Sequence, residues 1–224
     1  MGNLSSESRL ARLQNFEGLM LTDRTYNLVI GLTLTVGVLI DMAMAYYLAL
    51  PILRMNYLFI LIVYFIGSLG CTFVIYRSKN PAVSFAGFVG LSASMGLLLT
   101  YFLTAFALAD VRTAFTMTAA AVVLMVALAT VFPGFFLSIG RGLGIALLVT
   151  IVVEVVATLI LRRSMGIFDY LVVLIFCGYL GYDWARAQQF PKTLDNAIDS
   201  AADIYVDIVN LFIRILSILG RRKD

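Results

Sequence analysis

Four aspartates recur every four residues near the end of the chain: Asp195, Asp199, Asp203 and Asp207, with Asn210 and Arg214 following. Spacings of three and four put neighbours on one helix face, so these residues form a polar stripe on an otherwise apolar segment. Other ionisable groups lie inside apolar runs: Asp41, Glu154, and Asp183 directly after Gly181-Tyr182. A carboxylate in such surroundings is costly and needs a counter-charge, a proton or a wet path. Two carboxylates held close together tend to share a proton, which moves one titration step up toward neutral pH. Hard oxygen donors also suit calcium. Such a pair can sense protons without histidine, and this chain contains none. Histidine catalysis, histidine metal ligation and a histidine pH switch are therefore excluded.

The elements that must hold these groups are set by composition. Of 224 residues, 62% are hydrophobic and 13% are charged, where a soluble domain carries about 25% charged residues. Lipid accepts an apolar outer face, but only helices or closed barrels satisfy their backbone within it. A barrel would alternate in polarity. This chain shows unbroken apolar runs of the length a transmembrane helix needs. The fold class is an all-α polytopic helix bundle with about seven transmembrane helices.

The spans are expected at 27–50, stopped by Pro51; 55–76; 82–108; 113–132, ahead of Pro133-Gly134; 143–161; 167–187; and 198–219. Asp110 and Arg112 mark a loop in this reading. The organisation is a cytoplasmic segment 1–25, a seven-helix domain 26–220 and a basic tail 221–224. With the N-terminus inside, the inner loops hold Arg9, Arg12, Arg24, Arg77, Lys79, Arg141, Arg186 and Lys192. The outer loops hold Arg54, Arg112, Arg162 and Arg163, so the positive-inside rule favours this orientation. The tail fits it only if the last segment re-enters.

Several features have bland readings. Cys71 and Cys177 sit in apolar runs as small hydrophobes. Gly31, Gly37, Gly67, Gly70, Gly87, Gly90, Gly96, Gly140, Gly142 and Gly144 read as close helix packing. Met1-Gly2 with Ser6 fits the myristoylation pattern by chance. No basic cluster interleaves with aromatics, so nucleic acid is not an expected partner. The last segment either lies at the interface or occupies the bundle centre. Interfacial helices usually carry basic residues on their polar face, and this one is acidic. Asp195 and Asp199, near its start, read as capping and solvated charge. Asp207, between Val206 and Ile208, reads as functional.

Two runs in the C-terminal third carry a resemblance. Gly178-Tyr179-Leu180-Gly181-Tyr182-Asp183 and Ile204-Tyr205-Val206-Asp207-Ile208-Val209-Asn210-Leu211-Phe212 resemble the transmembrane Bax inhibitor motif family. That family has a Tyr-Asp near the end of its sixth helix and a Leu-Tyr-Leu-Asp-Phe-Ile-Asn-Leu-Phe-like run on its seventh. The two aspartates here are 24 residues apart, which fits. Ala114-Phe115-Thr116 also looks similar. Asp199, Asp203 and Glu154 are departures from the pattern.

The resemblance implies a seven-helix fold with the last helix wrapped by the other six. It implies a pH-sensitive calcium leak gated at Asp183 and Asp207, with Arg77 matching the family's arginine latch. The same two aspartates would bind calcium transiently. Asp203, Asn210, Glu154 and Asp41 are then candidate ion-path groups. No enzymatic activity and no tightly bound cofactor are expected; calcium is the permeant ion. The expected partners are the bilayer, calcium and, as an open option, another membrane protein; a monomer in a bacterial inner membrane is expected. Rival readings are a non-conducting regulator of a membrane protease or stress response, and a proton-coupled transporter with Glu154 and Asp41 as relay groups. An intramembrane aspartyl protease would need Gly-x-Gly-Asp, which Tyr205-Val206-Asp207 does not supply.

Overall fold

A computed structural model describes residues 20–161 and 167–220. The myristoylation-like start, Arg9, Arg12, Arg162, Arg163, the basic tail and the expected cytoplasmic segment as far as residue 19 lie outside the described residues. Those described form α1 (Asp23–Tyr47), α2 (Ala49–Leu53), α3 (Tyr57–Arg77), α4 (Pro81–Leu103), α5 (Leu108–Val131), α6 (Pro133–Leu161), α7 (Ile167–Ala187) and α8 (Leu194–Gly220). Six of these helices, α1 and α3 to α7, are long and apolar enough to cross a membrane. The chain is a polytopic helical membrane protein.

The seventh expected span, α8, differs in kind. Its 27 residues would extend about 40 Å at ~1.5 Å per residue, more than the hydrocarbon core of about 30 Å. It is one continuous helix, and its stripe of aspartates keeps it out of the apolar set. From Asp195 to Gly220 no residue is exposed. An interfacial helix would keep its polar face in water, so the burial favours the central placement over the interfacial one. Asp199 is 3% exposed, which corrects its reading as solvated charge.

Three boundaries move for physical reasons. Pro51 does not stop a helix; it sits in the first turn of α2, where its missing N–H has no intrahelical partner to lose. Asp110 and Arg112 lie in α5 rather than in a loop, and Asp110 in the first turn complements the helix dipole. The α6 helix begins at Pro133, ten residues before the expected start at Leu143, so Arg141 is helical and not a loop charge. Proline at the first helical position is favourable there. Gly140, Arg141 and Gly142, expected ahead of the span, are thus part of the helix.

The described residues divide into two compact units: 20–100 with 186–203, and 101–161 with 167–185 and 204–220. In the first, small residues let α1, α3 and α4 approach. A Cβ on Gly67 would come within 2.3 Å of Ser94 Oγ, and one on Gly90 within 2.6 Å of Cys71 Sγ. In the second, Ala129, Phe136 and Ala185 form a buried core with Trp184 beside them, and the Trp184 indole N–H donates to Thr130 Oγ1 at 2.9 Å. Cys71 and Cys177 are free and half-buried.

Candidate functional site

The second unit holds Asp183, in the penultimate turn of α7, and Asp207, midway along α8. Both are buried, at 8% and 6% exposure. Tyr179 lies one turn before Asp183 on the same helix. Glycines on α6 make room for the aromatic residues flanking Asp183. A Cβ on Gly140 would fall 2.2 Å from the Tyr182 ring, and one on Gly144 would touch Tyr179 Oη at 3.4 Å. In the other direction, a Cβ on Gly181 would strike the Phe136 ring at 2.2 Å. Close α6–α7 packing thus positions Asp183. The glycine reading holds at these positions, whereas Gly31, Gly70 and Gly142 have nothing within 4 Å.

The same unit contains a three-membered ion cluster. Arg214 on α8 donates from Nη1 to Asp169 Oδ1 at 2.8 Å and to Glu154 Oε1 at 3.1 Å, and from Nη2 to Glu154 Oε2 at 3.2 Å. Asp169 lies in the first turn of α7 and Glu154 on α6. A lone guanidinium at membrane depth is costly; two carboxylates answer it here.

In the first unit Asp203 accepts hydrogen bonds from Tyr76 Oη on α3 and from Arg186 Nη2 on α7. Asp195 accepts from Ser84 Oγ on α4 at 2.6 Å. Asp41 is 7% exposed and faces α4, where a Cβ on Gly96 would come 2.8 Å from its Oδ1. Glycine at position 96 therefore leaves room for the acid. Arg77 is exposed at the end of α3, where its charge complements the helix dipole. Asn210 Nδ2, in the second unit, donates back to Val206 O at 2.8 Å.

Of the residues singled out from sequence, Asp203 and Glu154 are therefore bound by arginines, Asp183 and Asp207 are both buried in the second unit, and Asp41 packs against a glycine. Sequence reasoning passed over Asp169, Tyr76 and Arg186 as partners. The available signal was Arg214 itself, since an arginine in an apolar helix demands a counter-charge.

The family model described as "Inhibitor of apoptosis-promoting Bax1" matches residues 20–224, which is nearly the whole chain. The chain belongs to the Bax inhibitor family. A plant relative, Protein LIFEGUARD 3 of Arabidopsis thaliana, is 41% identical over 58 residues, covering 26% of this chain and 23% of that protein. The chain thus aligns with about a quarter of that relative's length. Family membership agrees with the resemblance carried by Tyr182-Asp183 and by Asp207. This Bax inhibitor family member is a multi-pass integral membrane protein whose apolar helices contact the bilayer.

Proposed function

We propose that this Bax inhibitor family protein conducts calcium as a leak across its membrane, controlled by the protonation of Asp183 and Asp207. One observation carries the reading: the two helices with the family motifs each bury a carboxylate, Asp183 and Asp207, in the same unit of the chain. Two acids in shared low-dielectric surroundings tend to hold one proton between them, and their second ionisation moves toward neutral pH. Calcium is the permeant ion in this reading and not a resident cofactor. Two carboxylates attract it, whereas a full oxygen cage would retain it. Among the described residues no group of three or more His, Cys, Asp or Glu side chains is placed to hold a metal ion. No catalytic step is assigned. The family pattern adds Arg77 as the latch of the closed state, and the proposed site of action is a bacterial inner membrane.

The test is calcium flux in proteoliposomes between about pH 6 and pH 8, where a shared carboxyl proton can titrate. Acidification should raise flux in the parent protein. Asp207→Asn should flatten that response, and Arg77→Gln should raise the leak at neutral pH. A parent-like pH response in Asp207→Asn sinks the gating assignment.

A second reading, a non-conducting membrane regulator, draws on the arginine pairing of Asp203, Glu154 and Asp169. Such pairing is what a purely structural role requires. A purified, reconstituted regulator shows no flux at any pH, so the same experiment separates the two.

A further inference from the structure

Asp203 reverses the arrangement found at Arg214. There one guanidinium meets two carboxylates; here one carboxylate meets two donors, a phenol and a guanidinium. Tyr76 Oη donates to Oδ1 and Arg186 Nη2 to Oδ2, so both oxygens are engaged. The donors differ in kind. Tyr76, on α3, is neutral and holds one edge of the carboxylate. Arg186 brings a positive charge on a long side chain from the last turn of α7. A guanidinium seated on Oδ2 marks that oxygen as a position for a cation.

Arg186 also has a second place for its charge. At the end of α7 the helix dipole and the last carbonyls favour a cation. Its side chain is partly exposed, while that of Asp203 is nearly buried. Departure of Arg186 with nothing in its place would strand the carboxylate, which is costly. Exchange for another cation leaves neither charge unanswered: the incoming ion meets Asp203, and the helix end meets Arg186. Tyr76 keeps Oδ1 throughout. Calcium suits the vacated oxygen as a hard, doubly charged ion. With one carboxylate on offer it keeps most of its water and binds weakly.

We propose that Asp203 is a weak divalent-cation site whose resident occupant is the Arg186 guanidinium. An ion from solution binds there by displacing the arginine, which makes the Arg186–Asp203 bridge an autoinhibitory contact. The carboxylate lies outside the Asp183 and Asp207 pair, and the arginine is not Arg77. The exchange takes place whether or not the protein conducts.

Thermal stability reads the exchange without flux, because an ion that binds the folded protein raises its midpoint by mass action. The full chain in a neutral detergent is titrated with calcium chloride at fixed pH, with choline chloride matching the ionic strength. If Arg186 holds Asp203 in about nine molecules of ten, its removal makes the site about tenfold tighter. The rise in midpoint of Arg186→Gln should therefore be half-complete at about one tenth of the parent's calcium concentration. Arg186→Lys keeps a tethered charge but loses the planar fork, so its half-point should fall between the two. It keeps the charge pair, and its order against the parent decides the question if Arg186→Gln does not fold. Asp203→Asn added to Arg186→Gln should remove the shift and leave only what the other acids contribute. Equal half-points in the parent, Arg186→Lys and Arg186→Gln overturn the proposal. So does a lowered half-point that survives Asp203→Asn. Failure here leaves the Asp183 and Asp207 reading standing, and a protein that conducts nothing can still pass.

Discussion

Arg186, in the last turn of α7, donates through Nη2 to the carboxylate of Asp203 on α8. Tyr76 Oη on α3 donates to the other oxygen of the same carboxylate. One acid therefore ties three helices of the first unit, and the side chains of the pair are 24% and 11% exposed. Screening by water is weak at that depth, so the pair contributes more than a surface bridge. We predict that Arg186→Gln destabilises the protein by about 2 kcal/mol, and Tyr76→Phe by about 1 kcal/mol. Thermal unfolding in detergent reads both. The double variant Arg186→Gln with Asp203→Asn should lose less than the sum of the singles, because the second change removes the charge that the first left unanswered. Strict additivity would mean that the two groups do not interact in the membrane-embedded protein.

The glycines of α6 offer a contrast within one helix. At Gly140 a Cβ has no space, since three atoms of the Tyr182 ring lie 2.2 to 2.6 Å away. At Gly142, two residues on, nothing lies within 4 Å. Alanine is the better helix former by up to about 1 kcal/mol. Gly142→Ala should therefore be neutral or stabilising, while Gly140→Ala should destabilise by about 1–3 kcal/mol through overpacking. Tyr182→Ala in the Gly140→Ala background should recover part of that loss. If the two alanine variants melt alike, the tight α6–α7 contact is absent.

These cases show which parts of the fold are legible in sequence. Apolar run length gave the six membrane-crossing helices, and α7 is found where it was expected, at Ile167–Ala187. The misplaced boundaries all fall where a residue type has two uses. Pro133 signals a break, but here it opens α6, and Gly140, read as close packing, admits a tyrosine ring. Asp110 signals a loop by charge, but here it meets a helix N-terminus. The same ambiguity governs the site. Asp207 is legible from its depth on an apolar helix and from its motif. Asp169 is not, because an acid in a first turn looks like ordinary dipole compensation. Which arginine answers which carboxylate depends on how the helices rotate about their axes, and that is fixed by tertiary packing. The period of the stripe locates Asp203 and Arg214 but does not name Arg186 or Glu154 as their partners.

Lys192, in the connection between α7 and α8, donates from Nζ to Gln188 O and Oε1, both at 3.0 Å, and sits 4.5 Å from the centroid of the Tyr26 ring. Burial pushes its pKa below the ordinary 10.5, while the Asp23 carboxylate pulls in the opposite direction. With the folded value depressed, the unfolded chain binds this proton more tightly. The contribution to stability is then most favourable above 10.5 and is lost as pH falls through the folded value. We predict that Lys192, followed by NMR of the ¹³C-dimethylated amine, titrates below an ordinary lysine. Asp23→Asn should lower its midpoint further. A midpoint that rises in Asp23→Asn contradicts the assignment of the two influences.

Tyr26 is fully buried on α1, and its hydroxyl lies 3.2 Å from Ala187 O, 3.3 Å from Asn196 O and 3.1 Å from Ser200 Oγ. A phenol has one proton to donate, so the two carbonyls share it and Ser200 donates to the phenol oxygen. Ala187 ends α7, where its carbonyl also accepts from the Phe190 N–H at 3.4 Å, so the Tyr26 hydroxyl is a second donor at that helix end. Asn196 and Ser200 belong to the first turns of α8, so one hydroxyl links α1 to the end of one motif helix and the start of the other. Tyr26→Phe keeps the ring and its contact with Lys192 but leaves these groups without the hydroxyl; the expected cost is about 1–2 kcal/mol. Hydrogen exchange should localise the effect, with faster exchange at the end of α7 and the first turn of α8 and no change in α5. Ser200→Ala should cost less in the Tyr26→Phe background than in the parent, because its partner is already gone. Equal costs in the two backgrounds would show that the serine and the phenol are not hydrogen-bonded, and the link would then rest on the two carbonyls alone.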